Sequence, residues 1–173
     1  KSIALEKQTK VHTPLGEFQA ELVTFYKSGK LKRLFPLNGQ INGFWSEEDE
    51  ESLCETYAFD FSFGSFEAKN IGLQFYETGE VKSITLWPGE VVEINTPQGV
   101  ISTRVGISMF KDGSLKSIEP AKQTLISTAI GTLSAHDHDV LGIHGDNNSL
   151  AFNKEGEVTK LTTYTHRIVV KHG

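Results

Sequence analysis

Phe25-Tyr26-Lys27-Ser28-Gly29-Lys30-Leu31-Lys32-Arg33-Leu34 is the stretch whose pattern organises the whole chain. It returns three times without a gap. The copies are Phe75-Tyr76-Glu77-Thr78-Gly79-Glu80-Val81-Lys82-Ser83-Ile84, then Met109-Phe110-Lys111-Asp112-Gly113-Ser114-Leu115-Lys116-Ser117-Ile118, then Phe152-Asn153-Lys154-Glu155-Gly156-Glu157-Val158-Thr159-Lys160-Leu161. An apolar residue precedes each by two positions, at Val23, Leu73, Ile107 and Leu150. Two extended runs around a short polar loop ending in glycine read as a β-hairpin. The loop is a type I turn whose next residue takes positive φ and forms a bulge, a conformation glycine adopts without a Cβ clash.

A second element recurs ahead of each hairpin: Gly16-Glu17-Phe18-Gln19-Ala20, Gly64-Ser65-Phe66-Glu67-Ala68, Gly99-Val100-Ile101-Ser102-Thr103 and Gly131-Thr132-Leu133-Ser134-Ala135. Its period of two marks a half-buried strand. In three copies the glycine closes a turn, Thr13-Pro14-Leu15-Gly16, Thr96-Pro97-Gln98-Gly99 and Thr128-Ala129-Ile130-Gly131, with Val11, Ile94 or Ile126 two positions before it. The expectation is three strands per module, with modules at about 11–35, 60–87, 94–120 and 126–162. Lys1-Ser2-Ile3 with Lys7-Gln8-Thr9 repeats the spacing of Lys116-Ser117-Ile118 with Lys122-Gln123-Thr124. Residues 1–9 therefore read as the remnant of a preceding repeat, with at least one more strand expected upstream.

The fold class that follows is all-β. Repeated antiparallel meander modules share one core, because units this small cannot each bury a face alone. They form an elongated, twisted or solenoid-like sheet. In Leu31 to Leu34 and Leu115 to Ile118 the apolar pair lies three apart, which strict alternation would place on opposite faces, so a bulge or corner is expected there. Two segments break the pattern. Ser46-Glu47-Glu48-Asp49-Glu50-Glu51-Ser52-Leu53-Cys54 has an N-cap and acids in the first turn, and reads as one short helix near 46–54. The run from Ala135 to Ser149 is an insertion, and a connection of that length calls for a function or for disorder.

Phe25 to Lys32, followed by Leu37-Asn38-Gly39-Gln40-Ile41-Asn42-Gly43-Phe44-Trp45, resembles MORN-type repeats. It is more similar still to the bacterial branch described as antitoxin-component repeat proteins. The resemblance implies arrays of β-hairpins and binding to a protein or membrane surface, and it transfers no catalytic residue.

Composition narrows the function classes. The chain has 173 residues, 38% hydrophobic and 23% charged, with a formal net charge of -5. That balance argues against a nucleic-acid partner, which needs a basic stripe. No apolar run reaches the roughly 20 residues that span a bilayer. A single cysteine, Cys54, excludes an internal disulfide framework and favours a reducing, cytoplasmic setting.

The sharpest chemical constellation is His136-Asp137-His138-Asp139 with His144 and Asp146. Histidines two apart on a strand face the same way, and imidazole with carboxylate is a ligand set for zinc, nickel or iron. His136, His138 and His144 are therefore the candidate metal ligands, set against the fact that Asp, His, Asn and Gly also compose an ordinary solvated loop. The acids from Glu47 to Glu51 lack the alternation and glycine of a calcium loop. Tyr57, Phe59, Phe61 and Phe63 alternate as a core strand does. Trp45 and Trp87, close to glycine and proline, are candidate rings of a carbohydrate- or peptide-binding patch if partly exposed, set against packing in the core or at a turn, the commoner place for tryptophan. No catalytic signature is present and no cofactor is expected. The leading reading is a soluble, non-enzymatic module that binds another protein, with metal binding at 136–146 and carbohydrate binding as alternatives.

Overall fold

The fold was analysed in a computed structural model, which describes residues 1–38, 47–139 and 145–163. The first module contains β1 (Ser2–Thr13), β2 (Gly16–Phe25) and β3 (Leu31–Phe35); the short helix α1 (Glu47–Leu53) follows. The second contains β4 (Tyr57–Phe61), β5 (Gly64–Ala68), β6 (Asn70–Phe75) and β7 (Val81–Leu86). The third is β8 (Val92–Thr96), β9 (Gly99–Met109) and β10 (Leu115–Pro120), and the fourth is β11 (Thr124–Thr128), β12 (Gly131–Ala135), β13 (Leu150–Phe152) and β14 (Val158–Leu161). All pairings are antiparallel.

The four glycine hairpins stand side by side in chain order and form the large sheet β1-β2-β3-β6-β7-β9-β10-β13-β14, which does not close into a barrel. Gly29, Gly79, Gly113 and Gly156 all have positive φ. Each donates its N–H back to the carbonyl of Tyr26, Tyr76, Phe110 or Asn153, closing the turn the sequence predicts. Beyond the turn the second strand carries one extra residue. Phe25 pairs with Leu31 but Thr24 pairs with Arg33, so Lys32 is bulged; Lys82, Lys116 and Thr159 repeat it. This bulge turns the apolar residues three apart onto one face.

The same register also joins one hairpin to the next. Leu34 pairs with Leu73, Ile84 with Ile107 and Ile118 with Leu150. Ile3 pairs with Val23 in the same way, so the start of β1 holds the place of a hairpin's second strand. An apolar row from Ile3 to Leu161 thus crosses the sheet, and a polar row (Thr24, Arg33, Gln74, Ser83, Ser108, Ser117) runs beside it on the alternate face.

The other recurrent element pairs into short hairpins at identical positions: Val11 with Phe18, Phe59 with Phe66, Ile94 with Ile101 and Ile126 with Leu133. β4–β5 and β11–β12 are separate two-stranded sheets, while β8 joins the large sheet through the long β9. The rings of Phe18 and Tyr57 stack at 4.2 Å, and Asn95 donates its N–H to the Phe63 carbonyl, so neighbouring short hairpins touch. Phe18, Phe59, Ile94, Ile101 and Ile126 of these short hairpins join the apolar row from Val23 to Leu150 in one buried cluster, which also includes Phe63.

Three strands per module hold where the long strand is continuous, as in β2 and β9. In the second and fourth modules it is cut at the joint between the hairpins, at Lys69 and by the insertion 136–149. The joint is also where β9 is strained. Val105 has φ 57, unusual for a β-branched residue, and opposite β10 it and Gly106 have no partner. The helix forms as predicted, although Ser46 lies outside the described residues. Lys69 Nζ sits 3.0 Å from Glu51 and Gln8 Nε2 donates to the Leu53 carbonyl, which ties α1 to the strands.

Candidate functional site

The insertion is not a free loop at its described ends. Glu119, at the end of β10, is wholly buried. One carboxylate oxygen accepts the Ser149 N–H at 2.7 Å and its Oγ–H at 2.6 Å; the other accepts the Asp137 N–H at 3.0 Å. A buried carboxylate is costly unless donors surround it. Here three donors do so, and they come from both ends of the insertion, so one side chain clasps residues 137 and 149 together. Arg104 Nη2 adds a bond to the Asp137 carbonyl.

The returning limb lies against the sheet. Gly145 donates its N–H to Thr85 Oγ1, Asp146 pairs with Lys82 at 2.6 Å, and Asn148 Nδ2 donates to Ser117 Oγ. A Cβ on Gly145 would stand 2.2 Å from the Ile84 carbonyl oxygen, and one on Gly106 would stand 2.5 Å from Asn148 Oδ1. Glycine is required at both places by space alone.

Two of the three candidate metal ligands, His136 and His138, are among the described residues. β12 ends at Ala135, so His136 and His138 do not share a strand face, and their rings meet edge-on with centroids 6.5 Å apart. The His136 ring is mostly buried, with Nδ1 3.1 Å from the Pro120 carbonyl and 4.0 Å from Glu119. A carbonyl only accepts, so this contact is a hydrogen bond when Nδ1 carries the proton. His138 projects into solvent beside Asp139. His144 lies outside the described residues. Among the described residues no group of three or more His, Cys, Asp or Glu is placed to hold a metal ion.

Of the two alternatives for Trp87 the structure has the packed one: the residue is 6% exposed, its backbone N–H pairs with the Lys69 carbonyl at the β6–β7 end, and its indole Nε1 has no hydrogen-bond partner among the described residues. A ring packed this way offers no face to a sugar. Trp45 lies outside the described residues. Cys54, the residue after α1, is buried; burial pushes its thiol up to about 11, with Lys69 opposing and Glu50 and Glu51 adding to the shift. A thiol raised in this way is held in its protonated form at neutral pH, the poorer nucleophile of its two forms.

The glycine turns line one end of the large sheet, and they are knitted to one another. Tyr26 Oη donates to the Phe75 carbonyl at 2.8 Å and Tyr76 Oη to the Met109 carbonyl at 2.9 Å, each reaching across to the next hairpin. Lys32 lies over the Tyr26 ring, Lys111 over Tyr76, and Lys116 and Lys154 over Phe110. Ser28 donates to Glu77, and Lys154 pairs with Asp112. The bond from Lys154, helped by Ser114, holds the Asp112 carboxyl well below the usual carboxylate range.

The sheet is open on both sides among the described residues: β1 and β14 each pair with one strand. In the apolar row Leu34, Leu73, Ile84, Ile107, Ile118 and Leu150 are buried, whereas Ile3 at the β1 edge is 50% exposed. Sequence reasoning passed over Glu119. The signal was available in the repeat: the residue after the row position is Ala4, Phe35 or Thr85 in other copies, and only here is it charged. No helix among the described residues is long and apolar enough to cross a membrane. Comparisons with protein families, with curated proteins and with solved structures return no match.

Proposed function

We propose that this chain is a non-enzymatic protein-interaction module that presents strand edges and a clasped loop on a rigid repeat scaffold. The observation that carries the reading is the open antiparallel sheet. An edge strand shows a row of unpaired backbone N–H and C=O groups, to which an extended segment of another protein adds as a further strand. The clasp at Glu119 supports a second contact surface, because it fixes Asp137 and Ser149 against β10 and holds those described ends in place before any partner binds. The single buried thiol fits a reducing, cytoplasmic setting. The likeness of the hairpins to MORN-type arrays points the same way.

Photo-crosslinking tests this. A photoreactive residue replaces Ser2 on the β1 edge, Glu48 on α1 or His138 in the insertion, each exposed, and the protein is irradiated in extract from its own cell. The expected result is a saturable crosslink to one protein from at least one position, abolished by excess unlabelled chain. No saturable crosslink from any position, together with stoichiometric metal that disappears in His136→Ala/His138→Ala, overturns the reading in favour of a metal site.

A further inference from the structure

We infer that the polar face of the large sheet, where β2, β3, β6 and β7 lie side by side, receives a short acidic segment of a protein partner. This rests on the protein-binding reading and names the surface and the partner's chemistry. Three observations carry it.

The first is a run of unpaired polar groups. Thr24 pairs in register with Arg33, Arg33 with Gln74 and Gln74 with Ser83, so the four residues stand next to one another on one face. Thr24 Oγ1, Arg33 Nε, Gln74 Nε2 and Ser83 Oγ are each buried without a hydrogen-bond partner. Ser83 is wholly buried and Gln74 is 6% exposed. A buried polar group left unpaired costs the folded state its desolvation, so a consecutive run of them marks a place where a ligand completes the bonding. The nitrogens of a guanidinium and a carboxamide only donate, and hydroxyls can donate, so the matching ligand groups are acceptors.

The second is charge. Lys32 is the bulged residue beside Arg33, exposed and lying over the Tyr26 ring. Among the described residues neither Lys32 nor Arg33 has a carboxylate within ion-pair distance. Glu21 and Glu77, in the same hairpins, are engaged elsewhere: Glu21 accepts the Asn38 N–H and Glu77 accepts from the Ser28 hydroxyl. Two cations beside a row of donors select a carboxylate.

The third is the chain's own use of this face. Residues 145–149 cross it from β7 to β10. Gly145 donates its N–H to Thr85 Oγ1, Asp146 pairs with Lys82, and Asn148 donates to Ser117, which is itself bonded to Ser108. Lys82 is the bulged lysine of the second hairpin, as Lys32 is of the first, and Ser108 and Ser117 continue the row of Thr24, Arg33, Gln74 and Ser83. An acid-bearing segment thus satisfies one end of the row. The other end offers the same bulged lysine, with a guanidinium beside it.

The test uses the isotopically labelled full chain and a synthetic peptide copying Gly145-Asp146-Asn147-Asn148-Ser149 with Asn148→Asp, so that carboxylates meet the donors. The Arg33 Nε–H and Gln74 carboxamide signals report binding directly. Both should shift saturably at millimolar peptide, while the chain's own Asn148 carboxamide signal stays in place. A peptide with asparagine at both acidic positions should leave the two signals unmoved. Arg33→Gln should weaken binding by about tenfold or more. Lys32→Gln, at an exposed position, should weaken it about threefold, whereas Lys10→Gln removes the same charge elsewhere without effect. No saturable shift at Arg33 or Gln74, affinity indifferent to both Arg33→Gln and Lys32→Gln, or the same saturation by inorganic phosphate at equal concentration overturns the inference. A saturable crosslink from Ser2, Glu48 or His138 would then leave the protein-binding reading standing without this face.

Discussion

At the scale of single residues, the turn glycines are set by backbone conformation and not by space. Gly113 has φ 81, and a Cβ built there meets nothing within 4 Å. Gly113→Val should therefore destabilise the protein through the left-handed backbone alone, by about 1–2 kcal/mol, read as a shift of the urea midpoint; Gly113→Asn, which tolerates that region, should cost less. Val105 is the converse case, a β-branched residue already held at φ 57. Relief of strain worth roughly 1–3 kcal/mol exceeds the entropic cost of glycine, about 0.5–1 kcal/mol, so Val105→Gly should raise the urea midpoint. The first of these was legible in the sequence because Ser-Gly, Thr-Gly, Asp-Gly and Glu-Gly closed the same loop four times. The second was not. Nothing in Thr103-Arg104-Val105-Gly106 announces positive φ, which falls where β9 leaves two residues unpaired opposite β10 and where Gly145 and Asn148 leave no room for a Cβ on Gly106.

Among the elements, each hairpin leans on the next through one aromatic residue, and the third lacks the means. Phe110 stands where Tyr26 and Tyr76 carry hydroxyls. Phe110→Tyr should add a bond to the Phe152 carbonyl and stabilise the protein by about 0.5–1.5 kcal/mol; a lower thermal midpoint would show that the fourth hairpin does not continue the pattern. The insertion is the other element whose behaviour follows from one side chain. Glu119→Gln turns an acceptor into a donor facing the Ser149 or Asp137 donors, and should cost about 2 kcal/mol, seen as roughly thirtyfold faster amide exchange at Ser149. Unchanged exchange there would mean the clasp does not hold the limb. The insertion was visible in the sequence as a break in the repeat. Its anchoring was not, because the donors at Asp137 and Ser149 lie far along the chain from the carboxylate they surround. The helix near 46–54 was readable from its acids, whereas Trp87 stood between an exposed ring and a packed one, because proximity to Pro88 and Gly89 says nothing about what covers it.

For the whole molecule, the gapless alignment of four hairpins foretold an all-β repeat sheet but not whether it closes, and the three-apart apolar spacing foretold a bulge or corner, of which the structure has the bulge. What the sequence did not reveal was that the two recurrent elements form separate sets of hairpins, one lined up in the large sheet and one packed into the shared core. Strand partners within a hairpin are local and follow from the turn, whereas the neighbour of β3 is β6, across the intervening α1, β4 and β5. The central claim is that a single register links every hairpin to the next. Cross-strand nuclear Overhauser contacts in the isotopically labelled protein test it most directly. Backbone contacts should pair Leu34 with Leu73, Ile84 with Ile107 and Ile118 with Leu150, and Ile3 with Val23 at the edge. Any one of these pairs displaced along its strand, or joined to a strand of another hairpin, would contradict the account.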